Sequence, residues 1–342
     1  MPALTEVEKS TLSIERGLCD LSVIVISYNT LELLPKCFEY LKTAADGLTI
    51  EIFVVDNGSK DGSVELLQAR YPEIQLIASK TNLGFAAANN QALTKAKGRY
   101  FVLLNSDAFL RPDSLTLAIS HMERNPGVGL GGARLVGPDE EWQPSARSFP
   151  SALNDFLTLS GLSTRFSQSR FFGRADRTWA DPGKAADVDW VPGAFSIINP
   201  NALDISGLFD EDYFLYYEEV DLCRRIKQAG YDVMYWPDIV VVHLGGESSK
   251  KVSAELFSRS GSQLTLWRMR SQLLYYRKHH GHFVLLSYWM ELLWHKARKF
   301  RNSLSSRPGS HEKVGESEAV VSLLRTAWTQ TSGGRVSPPR PW

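Results

Sequence analysis

Apolar and polar positions form two kinds of block along the first 130 residues. Leu21–Ser27, Ile50–Val55 and Tyr100–Leu104 are short, nearly continuous apolar runs that stop at polar residues, and Ile74–Ile77 reads as a further short strand. Runs of this length and composition read as strands buried on both faces. Between them the apolar residues recur at helical spacing: Leu34, Phe38, Leu41 and Ala45, then Val64 and Leu67. An Ala-rich segment to Ala96, closed by Gly98, and the stretch Asp113–Arg124 also read as helices. Thr30 is placed to cap the first of these helices, and a further strand is expected around Val128. Strand and helix alternate. The expected fold is therefore α/β, with a mainly parallel, Rossmann-like sheet flanked by helices and right-handed crossovers.

The pattern changes after Gly137. Residues 137–187 are rich in Pro, Ser, Arg and Gly and read as long loops with one helix near Leu153–Leu162. Strand character returns at 190–198, a helix with an acidic start lies within 209–230, and Val233–Trp236 and Ile239–Val242 read as two more strands. Residues 264–301 are helical in pattern, basic and aromatic, compatible with contact at a membrane surface or with packing on the main domain. The chain divides into a flexible leader (1–20), an α/β domain (21–246), a C-terminal helical extension (247–301) and a tail (302–342) expected to be disordered from its Ser, Gly, Pro and charge.

Charge narrows the choices only by exclusion. Lys and Arg number 38 and Asp and Glu 38, so no bulk field argues for nucleic acid or a membrane. Cys19, Cys37 and Cys223 are far apart, with no Cys-x-x-Cys, which disfavours a disulfide framework or a zinc site and fits a reducing, cytoplasmic setting. Residues 1–20 lack a signal-peptide pattern, and the apolar patch 283–294 is too short to span a bilayer.

The chemistry collects at strand ends. Ser27-Tyr28-Asn29, Asp56-Asn57-Gly58-Ser59 and Asn105-Ser106-Asp107 each follow a buried strand. Such ends line the ligand crevice of an open α/β sheet. The first turn is not Gly-x-Gly-x-x-Gly and no P-loop is present. Asp107 is a hard oxygen ligand suited to Mg2+ or Mn2+ beside a diphosphate; its plainer use is in a turn or cap. Asp56 can accept from a base N–H or a ribose hydroxyl, or build an Asx turn.

Val54-Val55-Asp56-Asn57-Gly58-Ser59-x-Asp61-Gly62-Ser63, followed by Asn82-x-Gly84-Phe85-Ala86-x-Ala88-Asn89-Asn90 and then Leu104-Asn105-Ser106-Asp107, resembles family 2 glycosyltransferases of the GT-A fold, on a branch similar to rhamnosyltransferases. The match runs over residues 21 to about 246. It implies that Asp56 contacts the nucleotide base and that Asp107 closes a degenerate Asp-x-Asp motif whose first acid is Asn105. It implies a nucleotide diphospho-sugar donor (dTDP- or UDP-linked, with dTDP-L-rhamnose favoured by the branch) and Mn2+ or Mg2+. It also implies inversion at the anomeric carbon, in cell-surface polysaccharide synthesis. A glycan or lipid-linked glycan acceptor at the cytoplasmic membrane face fits that reading.

Two further clusters follow. In Tyr216-Tyr217-Glu218-Glu219-Val220-Asp221 three acids crowd the start of a helix. That suits the helix dipole, but mutual repulsion also raises at least one pKa toward that of a general base. The family usually has Glu-Asp here with the second acid as base, so Glu219 is the first choice and Asp221, able to pair with Arg225, the second. His243 ends the last strand; the resemblance implies a place beside the metal or diphosphate, whereas a lone His is more often structural. Trp190 and Gly193 resemble the acceptor-side strand, where Gly allows close approach and Trp can stack on a sugar. A catalytically silent sugar- or nucleotide-binding scaffold on the same fold is the alternative. A nucleotidyltransferase is disfavoured because Ser27-Tyr28-Asn29 offers no triphosphate cradle.

Overall fold

The computed structural model describes residues 17–245 and 259–340. Four parallel strands form the first half of the sheet: β1 (Cys19–Ser27), β2 (Ile50–Asp56), β3 (Gln75–Ala78) and β4 (Gly98–Asn105). They are linked by helices α1 (Leu34–Ala44), α2 (Ser63–Arg70) and α3 (Phe85–Leu93). A short β5 (Ala108–Leu110), α4 (Ser114–Arg124) and β6 (Val128–Val136) follow. The loop-rich stretch holds β7 (Trp142–Gln143), α5 (Ala152–Leu159), α6 (Leu162–Arg165) and β8 (Ala186–Asp187). β9 (Phe195–Ile198), α7 (Pro200–Ser206), α8 (Glu218–Gln228) and β10 (Asp232–His243) complete the domain. The sheet order is β3-β2-β1-β4-β9-β6-β10-β5, with β9 antiparallel to both neighbours.

Alternation along each strand explains why both faces are covered. Leu21, Val23 and Val25 of β1 join Val54, Val102 and Leu104 under α1 and α4. Ile24 joins Phe53, Val55, Phe101 and Leu103 on the opposite face, under α3, α7 and α8. Each fully buried Val, Leu or Ile contributes about 1.5–3 kcal/mol relative to exposure, which fixes strand register: a slip of one residue would exchange the two cores.

Several details differ from the sequence pattern. Thr30 does not cap α1; its hydroxyl lies 3.0 Å from Ser27 Oγ, and its carbonyl accepts from Leu33 and Leu34, so a turn precedes the helix. Pro35 then sits in the first helical turn, where its missing N–H costs nothing. The two strands read around 233–242 are one, β10, with an irregularity between Trp236 and Val240. Pro237, which cannot donate to a ladder, accounts for that break.

The C-terminal part forms α9 (Arg259–His280), a 3-10 turn (Gly281–Phe283), α10 (Val284–Ser303) and α11 (Ser310–Gln330). The tail expected to be disordered is thus largely helical. Leu324 and Ala327 of α11 are buried with Met269 and Leu273 of α9 and Leu292 of α10, and this apolar contact outweighs the polar composition. The expected boundary at 246/247 and the first 16 residues of the leader lie outside the described residues; β1 begins at Cys19, within the expected leader.

Candidate active site

The parallel strands end level with one another. Ser27 is the register partner of Asp56, and Ile26 is the partner of Asn105. The three polar strand ends therefore share one sheet edge.

Asp56 is almost fully buried. Its Oδ1 accepts from the backbone N–H groups of Gly58 (3.2 Å) and Ser59 (2.9 Å), the Asx turn expected of Asp-Asn-Gly. Its Oδ2 is buried with no hydrogen-bond partner. One oxygen builds the turn and the other awaits a donor, and a buried acceptor without one is costly. Gly58 is left-handed (φ +83°), and a Cβ there would lie 2.8 Å from the Thr81 carbonyl carbon. Asn29, itself at φ +53°, ties the first two strand ends together: its N–H donates to Ser59 Oγ and its Oδ1 accepts from Lys60 N–H, each at 2.8 Å. Tyr28, between Ser27 and Asn29 in the chain, is half-buried.

Asn57 turns inward. Its amide donates to Asn82 Oδ1 (2.9 Å) and the Gly84 carbonyl (3.2 Å), while its Oδ1 accepts from Leu83 N–H (2.7 Å). Gly84 is also left-handed (φ +87°), and a Cβ there would lie 2.4 Å from the Phe214 carbonyl oxygen. That same oxygen accepts from Phe85 N–H at 2.9 Å. The Asn82–Phe85 turn is thus pinned between the β2 end and the segment leading to the acid cluster. Asn89 plays a local part: its amide donates to the Phe85 carbonyl, with Oδ1 buried and unpartnered.

At the β4 end, Asn105 N–H donates to the Ala194 carbonyl at 3.0 Å, and Ser106 and Asp107 are buried. β5 pairs antiparallel with β10 so that His243 is the partner of Ala108. This brings His243 Nε2 to 3.6 Å from Asp107 Oδ1. Gln143 sets the imidazole: its Nε2 donates to the His243 carbonyl (2.9 Å), so its Oε1, 3.1 Å from Nδ1, is the acceptor of the ring N–H. In the neutral ring the Nε2 lone pair then faces Asp107. Gln143 was not legible in the sequence, because a two-residue strand in a Pro/Ser-rich loop carries no periodic signal.

The acid cluster divides. Tyr216 and Tyr217 are both left-handed (φ +69° and +70°), an unusual pair for aromatic residues, immediately before α8. Glu218 and Glu219 each carry a buried Oε2 with no hydrogen-bond partner. Burial and the neighbouring Glu219 charge push the Glu218 carboxyl well above its ordinary pKa. Burial also raises Glu219, while backbone N–H groups at the helix start and the Arg147 guanidinium pull the other way. Arg147 is held by Asp176 at 3.2 Å and lies 5.0 Å from the Trp190 ring centre. Asp221, the second choice for base, is used otherwise. Burial alone would raise its pKa, but the hydrogen bond from His279 and the charges of Arg225 and Lys278 hold it well below the carboxylate range. A carboxylate so paired is a poor proton acceptor. Trp190 donates Nε1–H to the Ser148 carbonyl (3.0 Å) and has Arg147 over its ring, and Gly193 lies where a Cβ would reach 3.4 Å from the Phe85 ring. Both have packing roles in the structure.

The family described as "Glycosyl transferase family 2" matches residues 22–181, a span that holds all three strand ends. The chain carries a family 2 glycosyltransferase domain. Among relatives of this glycosyltransferase is the N-acetylglucosaminyl-diphospho-decaprenol L-rhamnosyltransferase of Mycobacterium tuberculosis, 27% identical over 242 residues covering 65% of this chain and 75% of that protein. The rhamnosyltransferase WbbL of Escherichia coli is 24% identical over 266 residues, covering 74% and 91%. The glycosyltransferase is thus rhamnosyltransferase-like in its kinship. Its fold is that of a mannosyltransferase from Pyrobaculum calidifontis, solved in complex with GDP-Man and Mn2+ (TM-score 0.54, 19% identity, 92% and 87% of the two chains).

Proposed function

We propose that this glycosyltransferase moves a sugar, L-rhamnose by kinship, from a nucleotide diphospho-sugar to a hydroxyl of a glycan or lipid-linked glycan. The transfer is metal-dependent and inverts the anomeric carbon, in cell-surface polysaccharide synthesis at the cytoplasmic membrane face. The observation that carries the reading is the pair Asp107 and His243, with the His ring set by Gln143.

No group of three or more His, Cys, Asp or Glu side chains among the described residues could hold a metal ion unaided. A carboxylate oxygen facing an imidazole nitrogen nevertheless fits a divalent ion that takes its remaining ligands from a diphosphate and water. The mixed oxygen and nitrogen donors favour Mn2+ over Mg2+. Such an ion, when bound, neutralises charge on the diphosphate leaving group. The chain's own residues do the rest. Asp56 Oδ2 accepts from the nucleoside, and the Asn82–Gly84 turn, clamped by Asn57, shapes the donor pocket. Glu219 takes the proton of the acceptor hydroxyl as it attacks. Burial raises both carboxyls, Glu218 the further, so Glu219 is the one of the pair that more readily carries the negative charge a base needs.

Calorimetric titration with UDP, dTDP and GDP, with and without Mn2+, tests this reading. Binding of one nucleotide, strengthened by Mn2+ and lost in Asp107→Ala, is expected. Binding indifferent to Mn2+ would remove Asp107 and His243 from the metal site; no binding of any nucleotide would favour the silent scaffold.

A further inference from the structure

No helix among the described residues is long and apolar enough to cross a membrane. α10 nonetheless has two apolar faces. One packs inward through Val284, Ser287, Leu292 and His295. At about 100° per residue, Leu286, Trp289, Leu293 and Phe300 fall within an arc of roughly 60° on the other side. Their exposures are 52%, 50%, 57% and 67%, large for side chains of this size. Phe283 and Leu304, at the two ends of the helix, are 65% and 73% exposed. The stripe continues sideways: Trp294 meets Phe156 of α5 edge-on at 6.2 Å, and Phe156 and Leu153 are themselves exposed. Scattered exposed apolar residues are ordinary, whereas a contiguous row on one helix is not.

The charges beside the row have one dominant sign. Glu291, the sole acid of α10, is buried and faces Arg268 at 3.7 Å. Lys296 flanks the row on one side and Arg301 on the other. Beyond Lys296 a cleft of about 640 Å³ opens between α10 and α11, lined by Lys296, Lys299 and Arg325 with Glu318 as its one acid. Lys299 pairs with Glu318 at 2.6 Å, which leaves Lys296 and Arg325 as the cleft's excess positive charge.

We infer that this face of α10 is a docking surface for an anionic lipid bilayer, with the helix lying in the interface. The apolar row enters the acyl boundary, Lys296 and Arg301 meet lipid phosphates at its two margins, and the cleft takes an anionic headgroup. A second copy of the chain fits less well, since two such faces would set like charges against each other. The inference stands on the helix and its charges, not on the donor site, and it puts the enzyme where a lipid-linked acceptor lies.

The test is sedimentation of the full chain with vesicles of phosphatidylcholine alone and of phosphatidylcholine with phosphatidylglycerol, with no donor or acceptor present. Binding to the anionic vesicles that weakens with salt is expected. Lys296→Gln should weaken it about fivefold, and the double variant Trp289→Ser, Leu293→Ser more than tenfold. Both variants should keep the wild-type circular dichroism and nucleotide titration. Absence of vesicle binding, equal binding to both compositions, or a dimer in sedimentation equilibrium that Trp289→Ser disrupts would each overturn the inference. Nucleotide titration on the same samples reports the donor site separately.

Discussion

His279 Nε2 lies 2.6 Å from Asp221 Oδ1, at the end of α9 and the start of α8. Lys278 Nζ reaches the same oxygen at 2.8 Å and Arg225 Nε takes Oδ2 at 2.7 Å. Asp221 is fully buried, so three bases on two helices share one desolvated anion. It is a rivet between the helical extension and the helix that presents Glu219. Asp221→Ala should therefore cost about 3–5 kcal/mol of stability, because it removes the buried acceptor that Arg225, Lys278 and His279 share. The folded pKa is depressed, so the stabilisation is present above the ordinary carboxylate value of 3.8 and is lost as pH falls through it toward the lower folded value. Thermal unfolding from pH 3 to 7 checks both points. A variant with normal stability, normal nucleotide affinity and no transfer would restore Asp221 as base.

Gln143 offers a test of the metal reading without touching either ligand. Its two hydrogen bonds to His243 set the ring and its tautomer. Gln143→Leu should lower Mn2+-dependent nucleotide affinity by about 10- to 100-fold, the usual cost of losing a ligand's supporting contact, and leave the Mn2+-independent part unchanged. An unaltered Mn2+ effect would mean that His243 does not serve a metal.

Glu218 and Glu219 are neighbours with different expected behaviour. Glu219→Gln should lower kcat by about 10²- to 10⁴-fold, the range for a general base, with donor affinity retained. Glu218 holds its proton when folded at pH values where the unfolded chain, with an ordinary value of 4.5, has released it. Its effect on stability is thus unfavourable and grows as pH rises above 4.5. Glu218→Gln, which mimics the protonated acid, should raise Tm at pH 7 and leave it unchanged at pH 4. Melting curves at the two pH values decide this, and a lower Tm at pH 7 would show that Glu218 is ionised.

The parallel half of the sheet was legible because buried strands advertise themselves: Leu21–Ser27, Ile50–Val55 and Tyr100–Leu104 are apolar apart from Ser22, Ser27 and Glu51, each within two positions of an end, and have turn chemistry at their ends. The strand-end residues followed from the topology rule for α/β sheets. The partners that tune those residues were not legible. Gln143 and Arg147 come from loops whose positions depend on tertiary contacts, and His279 lies 58 residues from Asp221. Three adjacent acids looked alike in sequence, and only the surrounding cations distinguish Asp221 from Glu218 and Glu219. The tail failed for a compositional reason: residues 302–342 are polar on average, but Leu324 and Ala327 lie on one face of α11, and that face is buried.

This helix gives the last prediction. α11 closes the core formed by Met269, Leu273, Leu274 and Tyr276, and Gln330 accepts from Arg270 Nε at 2.9 Å while the Gly333 carbonyl accepts from Arg277 Nε at 3.2 Å. Gly334 packs so closely on α9 that a Cβ would lie 2.1 Å from the Leu273 carbonyl oxygen. A chain ending at Ser303 would expose Leu273 and its neighbours to water at about 1.5–3 kcal/mol for each large side chain uncovered. Hydrogen exchange should show amide protection falling across 266–277 while that of β1, β2 and β4 persists, with a clear drop in the first thermal transition. Unchanged protection in α9 would mean that α11 adds nothing to the fold. Loss of protection in the sheet as well would mean that α9, through Asp221, holds the catalytic domain together.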